Sequence, residues 1–290
     1  MSSDKRPFDL IRRGEKKPTP SGTLTFIGLR LADIPLQHAL LSPAASSPGV
    51  RLLTSLGFRT IYTSPSINSL LSSPLSWTNP PTSLILLLMS IGSAAKQIYW
   101  QTAISQESFP ASAAAAVSVY NTAVNSANTL LFLALGTSSL LSRPIVTLPF
   151  SFSFPFLSSS SASPASAWTT LPLSTILGTL LYVTGMAIET LSERQRAVFK
   201  TRPENKGRVC TTGLWGWARH INYFGYALWR GGYCMVASGW VGGIIMGLWQ
   251  GWDLGSRAVA VQDDYCGKRY GEQWVAFKRE VPYRIIPGVW

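Results

Sequence analysis

The chain has 290 residues, of which only 13% are charged, against about 25% in an ordinary soluble domain. Its apolar residues gather in runs that approach or exceed the roughly 20 residues needed to cross a bilayer, which excludes a water-soluble globule and predicts an all-α polytopic membrane protein with about five to seven transmembrane or re-entrant helices. The net charge of +12 does not make it a nucleic-acid binder. The basic residues fall in three blocks outside the apolar runs, Lys5 to Lys17, Arg194 to Arg208 and Lys268 to Arg284, with no recognisable binding module, and are expected to meet lipid headgroups or cofactor phosphates.

Met1 to Gly22 (residues 1–22) reads as a basic cytoplasmic tail, with no apolar stretch of the kind a cleavable signal needs. Residues 23–136 read as N-terminal membrane spans. Thr23 to Leu41 holds Arg30, Asp33, Pro35 and His38 and suggests a kinked or interfacial first span. Val50 to Leu71 is a weaker one. Leu84 to Gln101 is better despite Lys96, whose stem can carry its charge to the interface. Ala111 to Leu135 is the clearest helix of the front half, with Ala115, Ser118, Ala123 and Ser126 suited to close packing.

Residues 137–170 are rich in Ser and Pro and are expected to form an irregular lumenal loop. Residues 171–290 form a denser C-terminal membrane domain. Within it Leu171 to Leu191 reads as a span, Arg194 to Trp217 as a basic cytoplasmic connection, and Tyr223 to Gly251 as either a tilted helix or a tight helical hairpin. Asp253 to Trp290 is an amphipathic tail. With every basic block on the cytoplasmic side, both termini are cytoplasmic. Cys210, Cys234 and Cys266 make no CxxC pair, so neither a disulfide framework nor a metal site is expected.

The chemistry concentrates in Cys210 to Gly225, CTTGLWGWARHINYFG. Arg219 and His220 suit phosphate, Trp215 and Trp217 can stack on a flat ring, and Asn222 and Tyr223 can hydrogen-bond amides or hydroxyls. Membrane helices rarely carry so many costly polar groups without a function. Simpler roles exist for some of them: Arg196 and Lys200 would also serve as positive-inside anchors, and Trp215, Trp217 and Tyr223 as an interfacial aromatic belt. Glu189, near the end of a span, either reaches the interface or acts as a neutral acid that gives a proton to substrate.

GLWGWARHINYFG, followed by CGKRYGEQWVAFKREVPYRIIPGVW, resembles the C-terminal half of the delta-14 and delta-24(28) sterol reductases. Gly185, Glu189 and ERQRAVFK from Glu193 are similar to the DUF1295 and steroid 5-alpha-reductase-like membrane proteins. The resemblance runs from about Leu171 to Trp290. It implies an NADPH-dependent reduction of a carbon-carbon double bond in a lipid, a sterol or steroid, in the endoplasmic reticulum. On this chain the implied cofactor positions are Arg196, Lys200, Trp215, Arg219, His220, Asn222, Tyr223, Arg257 and Asp263, with Glu189 and Tyr223 as catalytic proton donors.

The chain departs from the sterol reductases at Tyr226, where they carry an acidic residue, and in SRAVAVQDDYC, which keeps Arg257 and leaves Asp263 or Asp264 as the acidic counterpart. Two other readings follow. The arginine-histidine pair, the later acidic pair and the tail also resemble the isoprenylcysteine and phospholipid methyltransferases, whose cofactor is S-adenosylmethionine. Ile221, where those enzymes have proline, and ERQRAVFK favour the reductase. The altered tail also allows a noncatalytic protein that keeps the fold.

Overall fold

The computed structural model describes residues 15–42, 44–62, 81–105, 107–134, 145–148 and 169–290. They form an all-α membrane protein with one short ribbon. Helix α1 (Pro20–Leu41) starts on a proline, whose missing N–H costs nothing in a first turn, and runs through Pro35. It packs chiefly on α4 and also on α3, with Arg30, Asp33 and Gln37 buried against the bundle and His38 exposed. Helix α2 (Pro48–Ser55) is capped by Ser47, whose Oγ accepts from the Val50 amide. At eight residues it is far too short to cross a membrane, which corrects the span expected from Val50; residues 63–71 of that stretch lie outside the described residues.

Helix α3 (Pro81–Tyr99) ends in a wide turn over Trp100–Ile104. Helix α4 (Ala111–Leu133) follows. Strands β1 (Ile145–Leu148) and β2 (Thr169–Pro172) pair antiparallel, Ile145 opposite Pro172 and Leu148 opposite Thr169. Two short pieces of the Ser/Pro-rich stretch are therefore paired with each other; residues 137–144 and 149–168 lie outside the described residues.

Helix α5 (Leu173–Thr201) continues ten residues past Leu191. ERQRAVFK is its last turns and not the start of a connection, because Glu, Arg, Gln, Ala and Lys are all good helix formers. Helix α6 (Ile221–Asp253) contains Gly239 at φ 74°, ψ −166°, a backbone state open to glycine and closed to bulkier residues. The chain reverses there. A methyl placed on Gly231 would lie 3.1 Å from Gly243 O and 3.1 Å from Gly247 Cα, so the arms before and after Gly239 run back against each other as a helical hairpin. A wide turn at Leu254–Ala258 leads to α7 (Val259–Tyr270), and α8 (Glu272–Glu280) follows.

Three described stretches are long and apolar enough to cross a membrane: Thr82–Ile104, Leu173–Thr201 and Ile221–Tyr270, the last folded in two at Gly239. Helices α5 and α6 make the most extensive contact in the molecule. Gly178 meets Gly232, and seven residues on Gly185 meets Gly225, backbone to backbone, an approach only residues without side chains permit. Leu86, Met89, Phe132, Tyr182, Trp229 and Tyr233 build the main apolar core beside this seam.

Candidate functional site at the end of the α5–α6 seam

Close packing of α5 and α6 brings the end of α5 beside the start of α6. Glu193 of α5 is 4% exposed, and its carboxylate accepts from Asn222 Nδ2 at 2.8 Å and Arg196 Nη2 at 2.6 Å. A buried carboxylate requires such donors. The Arg196 guanidinium lies 5.2 Å from the centre of the Trp215 ring, and Trp215 Nε1 donates to Ser192 O at 2.8 Å. Gly213, at φ 66°, gives the turn that lets the Leu214 amide donate to Gln195 Oε1 at 2.9 Å. The segment before α6 is thus sewn to the last turns of α5.

The tail closes the other side. Arg219 Nη1 donates to the carbonyls of Val281 at 2.6 Å and Pro282 at 2.9 Å, while the Arg219 and His220 amides donate to Tyr283 O and Arg284 O. Because α6 doubles back, His220 at its start meets Asp263 of α7, Nε2 to Oδ1 at 3.2 Å. An ionised carboxylate only accepts, so Nε2 carries the proton and Nδ1 is left as an acceptor. Burial lowers the His220 pKa below the usual imidazole value, with Asp263 opposing the shift and Arg219 and Arg196 adding to it. The Tyr223 ring stacks on His220, centroids 5.4 Å apart and planes within 8°, and Tyr223 interacts electrostatically with Arg196.

Beside Asp263 opens a cleft of about 450 Å³, lined by Trp252, Ser256, Val259, Asp263, Arg284 and Trp290 among others. The Trp290 ring approaches Gly255 so closely that a side chain there would displace it.

The structure therefore gathers Arg196, Trp215, Asn222, Tyr223, His220 and Asp263. Others of the expected set stand elsewhere. Arg219 spends Nη1 on the tail carbonyls, so it is a clamp before it is a phosphate ligand. Lys200 Nζ donates to Arg208 O at 2.6 Å and Tyr270 Oη at 2.8 Å. Arg257 forms a paired contact with Asp253 on the exposed side of its helix, at 3.0 and 2.6 Å, outside the cleft lining. Glu189 is one turn before Glu193 but turns into the bundle, where it is ion-paired with Lys96 and accepts from Trp229 Nε1 at 2.7 Å. The proton donor implied by resemblance thus stands on the bundle side of α5, engaged with Lys96 and Trp229, and not among the residues gathered around Glu193. Sequence reasoning passed over Glu193, Trp252, Arg284 and Trp290. Glu193 opens ERQRAVFK and Arg284 lies in a basic block read as an anchor, so both were in view without a partner to single them out.

Residues 141–253 match the family model DUF1295, a protein family of unknown function. A protein of Ustilaginoidea virens described as a probable O-methyltransferase is 28% identical over 261 residues, 90% of this chain and 84% of that protein. A delta(14)-sterol reductase of Neurospora crassa is 28% identical over 151 residues, 37% of this chain and 31% of the reductase. Another, of Schizosaccharomyces pombe, is 37% identical over 86 residues, 29% of this chain and 20% of the reductase. The chain spans about a third or less of the sterol reductases it matches. The chain thus matches the DUF1295 family over residues 141–253 and shares partial homology with the delta-14 sterol reductases.

Proposed function

We propose that the protein is an oxidoreductase of the endoplasmic reticulum membrane that uses NADPH to reduce a carbon-carbon double bond of a lipid, with the cofactor at the cytoplasmic end of the α5–α6 seam. The observation that carries this reading is the charge of that end. Residues 193–219 hold seven Lys or Arg against two Glu, a field that attracts a polyanionic dinucleotide. The residues present fit such a group. Arg219 Nε and Asn222 Oδ1 are buried with no hydrogen-bond partner, Arg284 stands in the cleft, and Trp252 and Trp290 offer flat apolar walls.

Arg196, Arg284 and Asn222 would hold the cofactor, whose nicotinamide supplies the hydride when bound. Tyr223 would give the proton, a role supported by its stacking on His220 and its interaction with Arg196. His220 keeps its Nε2 proton on Asp263 and presents Nδ1 as an acceptor. Both termini are read as cytoplasmic on the same grounds of charge.

One observation favours a second reading, an S-adenosylmethionine-dependent methyltransferase: the probable O-methyltransferase aligns along 90% of this chain and 84% of its own, whereas the Neurospora crassa sterol reductase aligns with 37% of this chain. Titration of NADPH and of S-adenosylmethionine into the purified protein in detergent separates the two. Tighter binding of NADPH is expected. Preference for S-adenosylmethionine overturns the reductase in favour of the second reading, and binding of neither leaves a noncatalytic protein. Lipid profiling of cells lacking the protein then names the substrate class, an unsaturated sterol if it is a sterol reductase.

A further inference from the structure

A buried polar cluster stands in the middle of the helix bundle, apart from the cytoplasmic site. Arg30 lies halfway along α1. Arg230 lies nine residues into α6, roughly 14 Å from its start at about 1.5 Å per residue. Both side chains are at most 1% exposed. Between them runs one face of α4, where Asn121, Asn125 and Asn128 recur at helical spacing and are each at most 3% exposed.

The hydrogen bonds join these residues into two groups on successive turns of α4, one around Arg230 and one around Asp33. Arg230 Nη2 donates to Asn121 Oδ1 and Arg230 Nε to Tyr226 Oη at 3.1 Å. One turn along α4, Asn125 Nδ2 donates to Asp33 Oδ2 at 2.7 Å. Arg30 Nη1 reaches the same carboxylate at 3.3 Å, and Gln37 Nε2 its other oxygen at 2.9 Å. Asp33 is saturated by these three donors. The arginines are not: Arg30 Nε and Nη2 and Arg230 Nη1 have no partner, and neither has either end of the Asn128 amide.

The charges do not balance either. Lys96 and Glu189 neutralise each other, leaving Arg30 and Arg230 with Asp33 alone among the described residues of the cluster. The two guanidiniums are near enough to repel one another. The Trp229, Tyr226 and Tyr120 rings, centred 4.2, 5.3 and 5.7 Å from the Arg230 guanidinium, offset part of its charge, and water could satisfy the stray N–H groups, but neither supplies a counter-anion, and uncompensated charge at this depth is disfavoured.

We propose that the bundle holds a second binding site, in which one oxyanion group, a carboxylate or a phosphate, is clamped between Arg30 of α1 and Arg230 of α6. The donors match the group: Arg30 offers its free Nε–Nη2 edge for a paired contact to its oxygens and Arg230 offers its free Nη1. The site requires no choice of cofactor at the cytoplasmic end.

The test uses the full chain in an uncharged detergent and reads its thermal unfolding midpoint with decanoate, decyl phosphate, decanol, acetate and inorganic phosphate. The anionic amphiphiles should raise the midpoint and decanol should not. A matching effect of acetate or inorganic phosphate would identify a free anion as the occupant; an effect confined to the ten-carbon compounds would identify a lipid-borne group. Arg30→Gln and Arg230→Gln should each abolish the rise. Equal shifts with decanoate and decanol, no shift with any anion, or an undiminished shift in the arginine variants would overturn the site. The decanoate and decanol comparison stands on the unmodified protein if the variants do not fold.

Discussion

Gly225 and Gly185 face each other across α5 and α6 so closely that a methyl group on Gly225 would lie 2.7 Å from the Gly185 carbonyl oxygen and 2.6 Å from the Glu189 amide nitrogen. Both obstacles are backbone and cannot swing aside. Gly225→Ala should therefore push the helices apart and destabilise the protein by about 1–3 kcal/mol, the range for overpacking a tight interior. Gly28→Ala is the control, since a methyl there meets nothing within 4 Å. Thermal unfolding in detergent compares the two, and an unchanged midpoint for Gly225→Ala would contradict the seam.

The Arg219 guanidinium holds the tail through two backbone carbonyls. Hydrogen bonds from a charged donor contribute about 1.5–3 kcal/mol each, so Arg219→Ala should free residues 281–290 and speed tryptic cleavage after Arg279 and Arg284. Arg219→Lys should not restore protection, because an ammonium lacks the planar fork. Cofactor affinity should fall in both variants, as a consequence of tail release. Weak cofactor binding with a fully protected tail would instead make Arg219 a direct ligand.

Tyr223→Phe removes one hydroxyl from a ring that still stacks on His220. If Tyr223 gives the proton, turnover should fall about 10²-fold, within the range for loss of a general acid. NADPH affinity should change little. Equal losses in affinity and turnover would place the hydroxyl on the cofactor instead.

His220 is held neutral in the folded protein, its pKa lowered first by burial. The unfolded chain takes up a proton near pH 6.5, before the folded chain does. The contribution of the neutral ring is thus present above about pH 6.5 and is lost as pH falls from there toward the folded value. His220→Gln should flatten the decline of the unfolding midpoint between about pH 7 and 5. A decline of the same slope in that variant would assign it to other groups.

Much of the site could be read from the chain because its core is local: Arg219, His220, Asn222 and Tyr223 are neighbours, and their types alone announce polar chemistry beside a membrane helix. Asp263 is 43 residues from His220 and came into view through resemblance, since only the hairpin brings the two together. Glu189 and Glu193 differ by one helical turn, and nothing in their spacing says which faces Lys96 and which faces Asn222. The glycine-rich stretch after Tyr223 left a tilted helix and a hairpin equally open. Glycines recur along it for packing, but only Gly239 reverses the chain, and that choice belongs to the three-dimensional contacts of the arms. The basic block from Arg194 was legible as cytoplasmic charge and hid its own helix, because charge says where a segment faces and not how its backbone is folded.

The reversal at Gly239 also fixes a phase. His220 and Asp263 belong to opposite arms of one hairpin, so the number of residues between them sets the angle at which Asp263 is presented. A single residue inserted between Gly243 and Gln262 would turn everything beyond it by about 100° and advance it by about 1.5 Å, swinging the carboxylate away from the imidazole while both arms stayed helical. The hairpin is in this sense a gauge of length, and the chain is free to vary its loops but not the count of residues on its returning arm.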